Sequence, residues 1–267
     1  MIGEALSSAA EALRAMGIEE PRLDAEVMLA AATGLERAEL IARPEAEVPP
    51  PATRLFGEMV RRRLRREPVA YIVGRRGFRR IELEVDRRVL IPRPETELLV
   101  ELALERRPAT LLDVGTGSGA IALAVADELP DCEIKATDTS APALEAARAN
   151  AHRLGLGRRV DFAPGSIPLE EDFELILANL PYVAEREWPA LQPEVTEWEP
   201  REALLAGPDG LDAIRAVIPR VEVGMLALEV GEGQAGAVRG LLAAAGFGAI
   251  ETRRDLAGVE RVVLGER

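Results

Sequence analysis

The chain is poor in cysteine, histidine and aromatic residues, and these shortages exclude several classes of protein. Of its 267 residues one is cysteine and one is histidine, so neither an intramolecular disulfide nor a zinc-binding thiolate cluster can form. Aromatic residues make up 3% of the chain, too few for an obvious platform on which nucleic-acid bases stack. We therefore expect a metal-free protein of a reducing cytoplasm.

The charge balance and the hydropathy exclude further classes. Acidic residues outnumber basic ones, 46 to 33, and the net charge of −13 makes the average surface repel a phosphate backbone. We expect no direct binding of nucleic acid. No apolar run approaches the ~18 residues of a membrane span, and the first residues lack the basic flank of an export signal. We expect a protein that is neither exported nor membrane-anchored.

Hydropathy periodicity changes twice along the chain. Apolar residues recur at helical spacing up to about residue 70, which predicts a small helical bundle. Short alternating runs between Tyr71 and Leu90 predict a β-hairpin linker. Strands then alternate with helices, as in a parallel sheet that helices cover on both faces. The predicted domains are residues 1–70 (helical), 71–95 (linker) and 96–267 (α/β).

The end of the chain departs from this alternation. The apolar stretches at 250–255 and 261–264 are joined only by a short turn, without a helix between them. A connection of that length joins antiparallel neighbours, whereas parallel strands need a crossover. The last strand is therefore predicted to run antiparallel to its neighbour.

A glycine-rich loop follows the first strand of the α/β region. Residues 113–119 read DVGTGSG and precede a helix. Glycines let the backbone approach a ligand closely, and a helix N-terminus offers unpaired N–H groups and a positive dipole end. Asp138 ends the next strand, where its carboxylate can accept hydrogen bonds from both ribose hydroxyls. This order of elements favours a nucleotide-like ligand over a structural turn.

The loop alone leaves two ligands open. Gly115, Gly117 and Ala120 also satisfy a dinucleotide fingerprint, so NAD fits the spacing. Asp113 lies two residues before the first glycine and would face a pyrophosphate unfavourably, whereas an adenosyl ligand with an ammonium group suits it. In this respect the loop resembles the first motif of class I S-adenosylmethionine-dependent methyltransferases, whose acid lies near the methionyl portion.

The tetrapeptide Asn-Leu-Pro-Tyr follows an apolar strand predicted at 173–178. An amide nitrogen is a poor nucleophile because its lone pair is delocalised, so its methylation requires acceptors that hold its N–H bonds. Asn179 can supply a side-chain carbonyl, and Leu180 a backbone carbonyl held forward by Pro181. Tyr182 can lie against the planar acceptor group. The alternative is an ordinary turn, since these residue types are common loop formers.

Three further stretches narrow the family. Asn-x-Pro-Tyr is shared by methyltransferases that act on the planar nitrogens of adenine, cytosine or glutamine. The other stretches are 67–74 (EPVAYIVG) with Phe78, 89–101 (VLIPRPETELLVE) and 199–210 (EPREALLAGPDG). Together with a helical N-terminal domain, they resemble the peptide chain release factor glutamine methyltransferases, the HemK/PrmC family, over nearly the whole chain.

The resemblance implies a fold and an activity. The fold is a Rossmann-like class I methyltransferase with a mostly parallel seven-stranded sheet whose last strand is antiparallel, preceded by the helical bundle and the hairpin. The activity is N5-methylation of the glutamine in the Gly-Gly-Gln motif of class I release factors, which supports translation termination. S-adenosylmethionine is the implied donor and S-adenosylhomocysteine the by-product. The implied partner is the class I release factor. We expect the enzyme to be a monomer.

The resemblance also assigns roles to individual residues. The implied donor contacts are Asp113, Gly115, Thr116, Gly117, Ser118, Gly119, Asp138, Ile167 and Asn179. The implied catalytic and glutamine-binding residues are Asn179, Leu180, Pro181 and Tyr182. Pro92 and Arg93 are expected to form part of the substrate wall, and a role as a rigid connector is the alternative for the proline.

One residue departs from the family pattern. The family usually has proline where this chain has Leu180, and the Asn-Leu-Pro-Tyr form occurs in ribosomal RNA adenine dimethyltransferases. A nucleic-acid adenine methyltransferase is therefore the first alternative, against which the net charge, the few aromatics and the stretch 91–101 all count. An inactive donor-binding regulator is the second. A ribosomal-protein glutamine methyltransferase is a close relative of the favoured function.

A run of arginines lies in the helical region, at positions 61–63, 65 and 66. Such a run can meet ribosomal RNA or an acidic partner. More often it is the solvated face of a helix, and this is the interpretation that the sequence favours.

Overall fold

The computed structural model describes residues 1–168 and 171–267, whose contacts form two units. The first unit is Met1–Arg75 with Gln192–Trp198, and the second is Arg76–Leu191 with Glu199–Arg267. Within these described residues, no helix combines the length and apolarity that crossing a membrane requires. The same residues contain no group of three or more His, Cys, Asp or Glu side chains able to hold a metal ion.

The first unit is helical, as the periodicity predicts. Its helices are α1 (Ile2–Ala15), α2 (Pro21–Thr33), α3 (Arg37–Ala42), α4 (Pro50–Arg63), α5 (Val69–Val73) and the short α9 (Pro193–Thr196). Pro21 and Pro50 each stand in the first turn, where proline's fixed φ suits a helix and its missing N–H costs nothing. The core includes Leu6, Leu13 and Met28, all of which are fully buried.

The arginine run is not a uniformly solvated face. Arg63 is buried, and its guanidinium lies 2.7 Å from both the Asp24 and the Glu194 carboxylates. Arg66 contacts the other oxygen of Glu194 at 2.8 Å. Burial raises the pKa of Asp24 although Arg63 opposes the shift. The solvated-face interpretation is therefore wrong for Arg63, because its buried guanidinium pairs with two carboxylates of this unit.

The second unit is a Rossmann-like α/β domain preceded by a two-stranded hairpin. Its strands are β1 (Arg75–Phe78), β2 (Ile81–Glu84), β3 (Thr110–Val114), β4 (Glu133–Asp138), β5 (Val160–Pro164), β6 (Leu175–Ala178), β7 (Met225–Glu229), β8 (Gly248–Arg254) and β9 (Glu260–Glu266). Its helices are α6 (Glu97–Arg106), α7 (Ala120–Glu128), α8 (Ala141–Arg153), α10 (Asp212–Val217) and α11 (Ala235–Ala244).

The seven-stranded sheet has the order β5-β4-β3-β6-β7-β9-β8. Strands β3 to β7 pair in parallel, and β9 runs antiparallel to both β7 and β8. This confirms the predicted fold class and its antiparallel last strand. Val114 of β3 pairs with Thr137 of β4 and with Ala178 of β6. The loops that follow these three strands therefore meet at one edge of the sheet.

Two local elements differ from the pattern. Tyr71–Val73 belongs to helix α5 instead of the hairpin, which begins only at Arg75. The run has strand-like composition, but Pro68 precedes the helix and Gly74, at a φ of 80°, ends it. Helix α6 overlaps the stretch 89–101 and α10 follows the stretch 199–210, and the hydropathy period predicted neither helix.

We predict that Arg63→Met destabilises the protein strongly. The substitution leaves the Asp24 and Glu194 carboxylates without the buried countercharge that both of them contact. Breaking a buried ion pair from one side costs about 3–5 kcal/mol, and urea denaturation followed by circular dichroism measures this loss. The matched control is Arg61→Met, an exposed position on the same helix, which should change the free energy of unfolding by less than about 0.5 kcal/mol. Equal effects of both substitutions would contradict the structural role of Arg63.

Candidate active site

A cleft opens at the carboxyl edge of the sheet, where the loops after β3, β4 and β6 meet. Its volume is about 790 Å³, including the part open to solvent. The residues that line it at the strand ends include Gly115, Gly117, Asp138, Asn179, Leu180 and Pro181. Thus the glycine loop, the acid after β4 and three residues of the tetrapeptide share one cleft.

The Asp138 carboxylate is held by two backbone N–H groups. Its Oδ2 accepts a hydrogen bond from Gly117 N at 2.9 Å, and its Oδ1 accepts one from Ser140 N at 2.8 Å. An ionised carboxylate has about four acceptor sites, so each oxygen keeps acceptor capacity for a ligand. The acid is therefore fixed in direction while it remains able to bind hydroxyl groups.

Asp113 lies beneath the loop and not on the cleft wall. It is fully buried, and its Oδ2 accepts hydrogen bonds from Thr116 Oγ1 at 2.6 Å and from Ala122 N at 3.1 Å. Its Oδ1 is buried without a hydrogen-bond partner among the described residues. Burial raises the pKa of Asp113 to about 7, and the charge of Asp138 adds to the rise. Asp113 thus stabilises the glycine loop and the start of α7 through these two hydrogen bonds.

The remaining predicted donor contacts divide between the cleft and the interior. Thr116 and Ser118 are buried. Gly119 has a φ of 85°, and a Cβ there would stand 2.8 Å from a Leu123 methyl group, so the helix packs directly on this glycine.

Ile167 lies in the hydrophobic cluster of the sheet and not among the residues that line the cleft. Gly165 and Ser166 line the cleft at that point instead. The segment after β5 is short, so its sequence alone could not show which of residues 165, 166 and 167 faces the cleft. The residues that line the cleft at this point thus stand one and two positions before Ile167, whose contact with the donor stays a prediction.

Hydrogen bonds from two side chains and one backbone carbonyl join the tetrapeptide to three distant residues. Asn179 donates a hydrogen bond from Nδ2 to Thr96 Oγ1 at 3.0 Å, and Tyr182 donates one from its hydroxyl to Glu229 Oε1 at 3.3 Å. The Tyr182 carbonyl accepts a hydrogen bond from Gln234 Nε2 at 2.8 Å. None of these three partners was identified from the sequence.

The Tyr182 side chain is partly buried, and its phenol stays protonated. Burial and the neighbouring Glu229 carboxylate raise the pKa of Tyr182 well above its usual value. A phenol with a raised pKa is a hydrogen-bond donor and a poor base near neutral pH. Tyr182 can therefore form a wall of the site, but it is not suited to removing a proton.

Glu199, an acid at the start of the third family stretch, contacts the segment that contains Pro92 and Arg93. Arg93 donates from Nη2 to Glu199 Oε1, and Ile91 N donates to Glu199 Oε2 at 3.0 Å. Glu199 itself is buried, as is Pro92. Neither Pro92 nor Arg93 is among the residues that line the cleft. The structure thus gives Arg93 and the Ile91 backbone a stabilising contact with Glu199, a residue to which the sequence assigned no individual role.

The stretch 199–210 also fixes the backbone after the tetrapeptide. Val183 N donates to Leu204 O at 2.8 Å, and Ala206 N donates to Val183 O at 3.0 Å. Gly210 has a φ of 78°, and a Cβ there would lie 2.2 Å from the Tyr182 carbonyl oxygen. Only glycine fits this close approach, which explains the glycine at the end of the stretch.

We predict that Glu199→Ala destabilises the protein by about 1–3 kcal/mol, because it leaves the buried Ile91 N–H without its acceptor. Chemical denaturation measures the loss. The control is Glu202→Ala, an exposed position in the same stretch, for which we expect a change below about 0.5 kcal/mol. If Glu199→Ala proves as stable as the control variant, the contact with Ile91 does not contribute to the free energy of unfolding.

Comparison with known proteins extends the likeness over nearly the whole chain. Residues 4–74 match the PrmC N-terminal domain, and residues 94–195 match the methyltransferase small domain. Among solved structures, the catalytic domain of hMettl16 in complex with the MAT2A 3′UTR hairpin superposes with a TM-score of 0.57 over 69% of this chain and 74% of that chain. The sequence identity of 14% makes this a likeness of fold alone.

Curated relatives match at much higher identity. The release factor glutamine methyltransferase of Caulobacter vibrioides is 39% identical over 98% of this chain and 95% of its own length. The one from Moorella thermoacetica is 41% identical over 99% and 98%, and the one from Neisseria gonorrhoeae is 42% identical over 92% and 93%. At this identity and coverage, the chain belongs to the release factor glutamine methyltransferase family.

Proposed function

We propose that this protein transfers a methyl group from S-adenosylmethionine to the side-chain amide nitrogen, N5, of the glutamine in the Gly-Gly-Gln motif of class I peptide chain release factors. Membership of the family supports the reaction. The observation that carries the proposal is the position of Asn179, whose side chain stands in the same cleft as the glycine loop and Asp138. A donor site and an acceptor for amide N–H groups are thereby adjacent.

The cleft fits an adenosyl donor. Gly115 and Gly117 bring backbone to its wall without side chains, and the Asp138 carboxylate keeps lone pairs for two ribose hydroxyls. The buried Asp113 places a carboxyl group beneath the loop, where its negative form favours a positively charged ligand. When bound, S-adenosylmethionine supplies a methyl group activated by a sulfonium centre.

Asn179 and Leu180 would hold the glutamine carboxamide. Nδ2 of Asn179 is engaged by Thr96, which leaves Oδ1 to accept an N–H of the substrate. The Leu180 carbonyl would accept the second N–H, a role that leucine performs as well as proline because it belongs to the backbone. Held in this way, the nitrogen gains positive charge as it accepts the methyl group, and fixed carbonyl dipoles stabilise that charge. One N–H proton is then lost to solvent, which leaves the neutral methylamide.

The remaining parts of the chain have consistent roles in this proposal. Tyr182 would lie against the carboxamide and exclude water, as its raised pKa keeps it uncharged. The helical domain at 1–70 would recognise the release factor, the linker at 71–95 would connect it, and residues 96–267 would carry the chemistry. The enzyme would act as a monomer in the cytoplasm, where release factors work.

We predict that Asn179→Ala abolishes glutamine methylation and leaves donor binding nearly intact. The substitution removes the carbonyl that holds the substrate amide, so kcat should fall by about 100-fold or more. Mass spectrometry of the Gly-Gly-Gln peptide measures the product, and calorimetry with S-adenosylhomocysteine measures binding. A variant that methylates the release factor at the rate of the unmodified enzyme would overturn the assignment of Asn179.

The substrate itself is tested with labelled donor offered to purified release factor, to ribosomal proteins or to RNA. We expect label in the release factor alone, at the glutamine of Gly-Gly-Gln. Label in RNA alone would identify a nucleic-acid adenine methyltransferase, and donor binding without transfer to any acceptor would identify a regulator. Either result contradicts the proposal.

A further inference from the structure

The connection between β7 and α11 has no task in the reaction as proposed, although it contacts the tetrapeptide. It comprises residues 230–234 and follows Glu229, the last residue of β7. Leu228 of β7 pairs with Ala178 of β6, and the two strands are parallel. The residues that come next, Glu229 on one strand and Asn179 on the other, therefore lie side by side. This places the β7–α11 connection next to the tetrapeptide.

Gln234, at the end of this connection, holds the backbone of Tyr182. Its Nε2 donates to the Tyr182 carbonyl oxygen at 2.8 Å, and its Oε1 accepts a hydrogen bond from Gly231 N at 2.9 Å. A carbonyl only accepts and a backbone N–H only donates, so one orientation of the Gln234 amide satisfies both partners. Val183 N, at the other end of the same peptide group, donates to Leu204 O at 2.8 Å. Both polar ends of the Tyr182–Val183 peptide group are thus fixed in direction.

The side chain of Tyr182 is held from the same side. Its hydroxyl donates to Oε1 of Glu229 at 3.3 Å, and Glu229 is 1% exposed. A Cβ at Gly231 would stand 3.2 Å from Tyr182 Cδ2 and 3.0 Å from Gln234 Oε1. Gly231 lies outside the left-handed region of φ, so space and not backbone strain limits the side chain at this position. The missing side chain of Gly231 leaves room for the Tyr182 ring.

We propose that the β7–α11 connection sets the orientation of Tyr182 and that Gln234 is the positioning residue through which it does so. This inference rests on the proposed function, in which the Tyr182 ring lies against the substrate carboxamide. Gln234 fixes the backbone end of Tyr182, Glu229 fixes the hydroxyl end, and Gly231 packs against the edge of the ring. A planar wall held at both ends keeps the carboxamide aligned with the donor methyl group, and loss of such alignment slows the transfer step.

The first test is Gln234→Met, which removes both hydrogen bonds of the side chain and keeps an unbranched chain of similar length. We expect kcat for methyl transfer to the release factor to fall roughly 10- to 100-fold, as for reactants displaced by about 1 Å. Affinity for S-adenosylhomocysteine, measured by calorimetry, should be unchanged, because Gln234 contacts Tyr182, which is not implied in donor binding. The control Ala237→Met introduces the same side chain at an exposed position of α11 and should leave kcat unchanged.

A double variant separates positioning from a general loss of structure. Tyr182→Ala lacks the ring that Gln234 is proposed to orient, so the addition of Gln234→Met should lower kcat no further. Single turnovers with labelled donor measure the slow rates of both variants. Damage to the structure near α11 would instead lower kcat by the same factor in both backgrounds. That result overturns the inference while the proposed function stands.

The second test changes the space beside the ring. Gly231→Ala adds a methyl group that Tyr182 and Gln234 must accommodate by moving a few tenths of an ångström, so kcat should fall roughly 3- to 10-fold with donor affinity unchanged. The control is Gly236→Ala on α11, where the added Cβ meets Arg239 Nη2 at an ordinary 3.9 Å and the normal rate is expected. Equal rates of the two glycine variants contradict the inference.

The remaining outcomes are also decisive. A Gln234→Met enzyme with the normal kcat contradicts the positioning role and leaves the proposed function intact. If Gln234→Met does not fold, the comparison of Gly231→Ala with Gly236→Ala decides alone, since each adds only one methyl group. Absence of methyl transfer by the unmodified enzyme contradicts the proposed function and the inference together.

Discussion

The parallel pairing of β3, β4, β6 and β7 is the constraint on which the site depends. Because these strands run in the same direction, the residues that follow them emerge at one edge, although they are far apart along the chain. The pairings of Val114 with Ala178 and of Ala178 with Leu228 set the level of the glycine loop, the tetrapeptide and Glu229. A shift of register in any one strand would separate groups that must act together.

Two acids are buried at this edge, and both are held at a cost to the fold. Asp113 and Glu229 end or nearly end their strands, each leaves one oxygen without a hydrogen-bond partner among the described residues, and burial raises the pKa of both to about 7. Strands β3 and β7 flank β6, so the acids stand on either side of the strand that leads into the tetrapeptide. The ionised form of either acid would favour a cationic ligand nearby, and the raised pKa values mean that each acid loses this charge as the pH falls through about 7.

The sequence predicts the parts of this protein that follow from local pattern. The alternation of strands and helices, the antiparallel β9 and the positions of Asp138 and Asn179 could all be read from periodicity and spacing. Contacts between distant residues could not. No period in the sequence indicates that Thr96 receives the Asn179 amide, that Glu199 holds Arg93, or that one arginine of a basic run is buried. Such pairs depend on packing, and only the folded chain brings them together.

The segment Gln192–Trp198 has a consequence for the architecture of the first unit. It completes a helical bundle whose other residues all lie before position 76, so the bundle is discontinuous along the chain. A fragment that stops at residue 74, where the N-terminal family match ends, lacks Glu194. Arg63 and Arg66 then lose the carboxylate with which both of them form ion pairs. The boundary of the N-terminal family match is thus not the boundary of the helical unit, whose last helix, α9, is synthesised only after most of the chain.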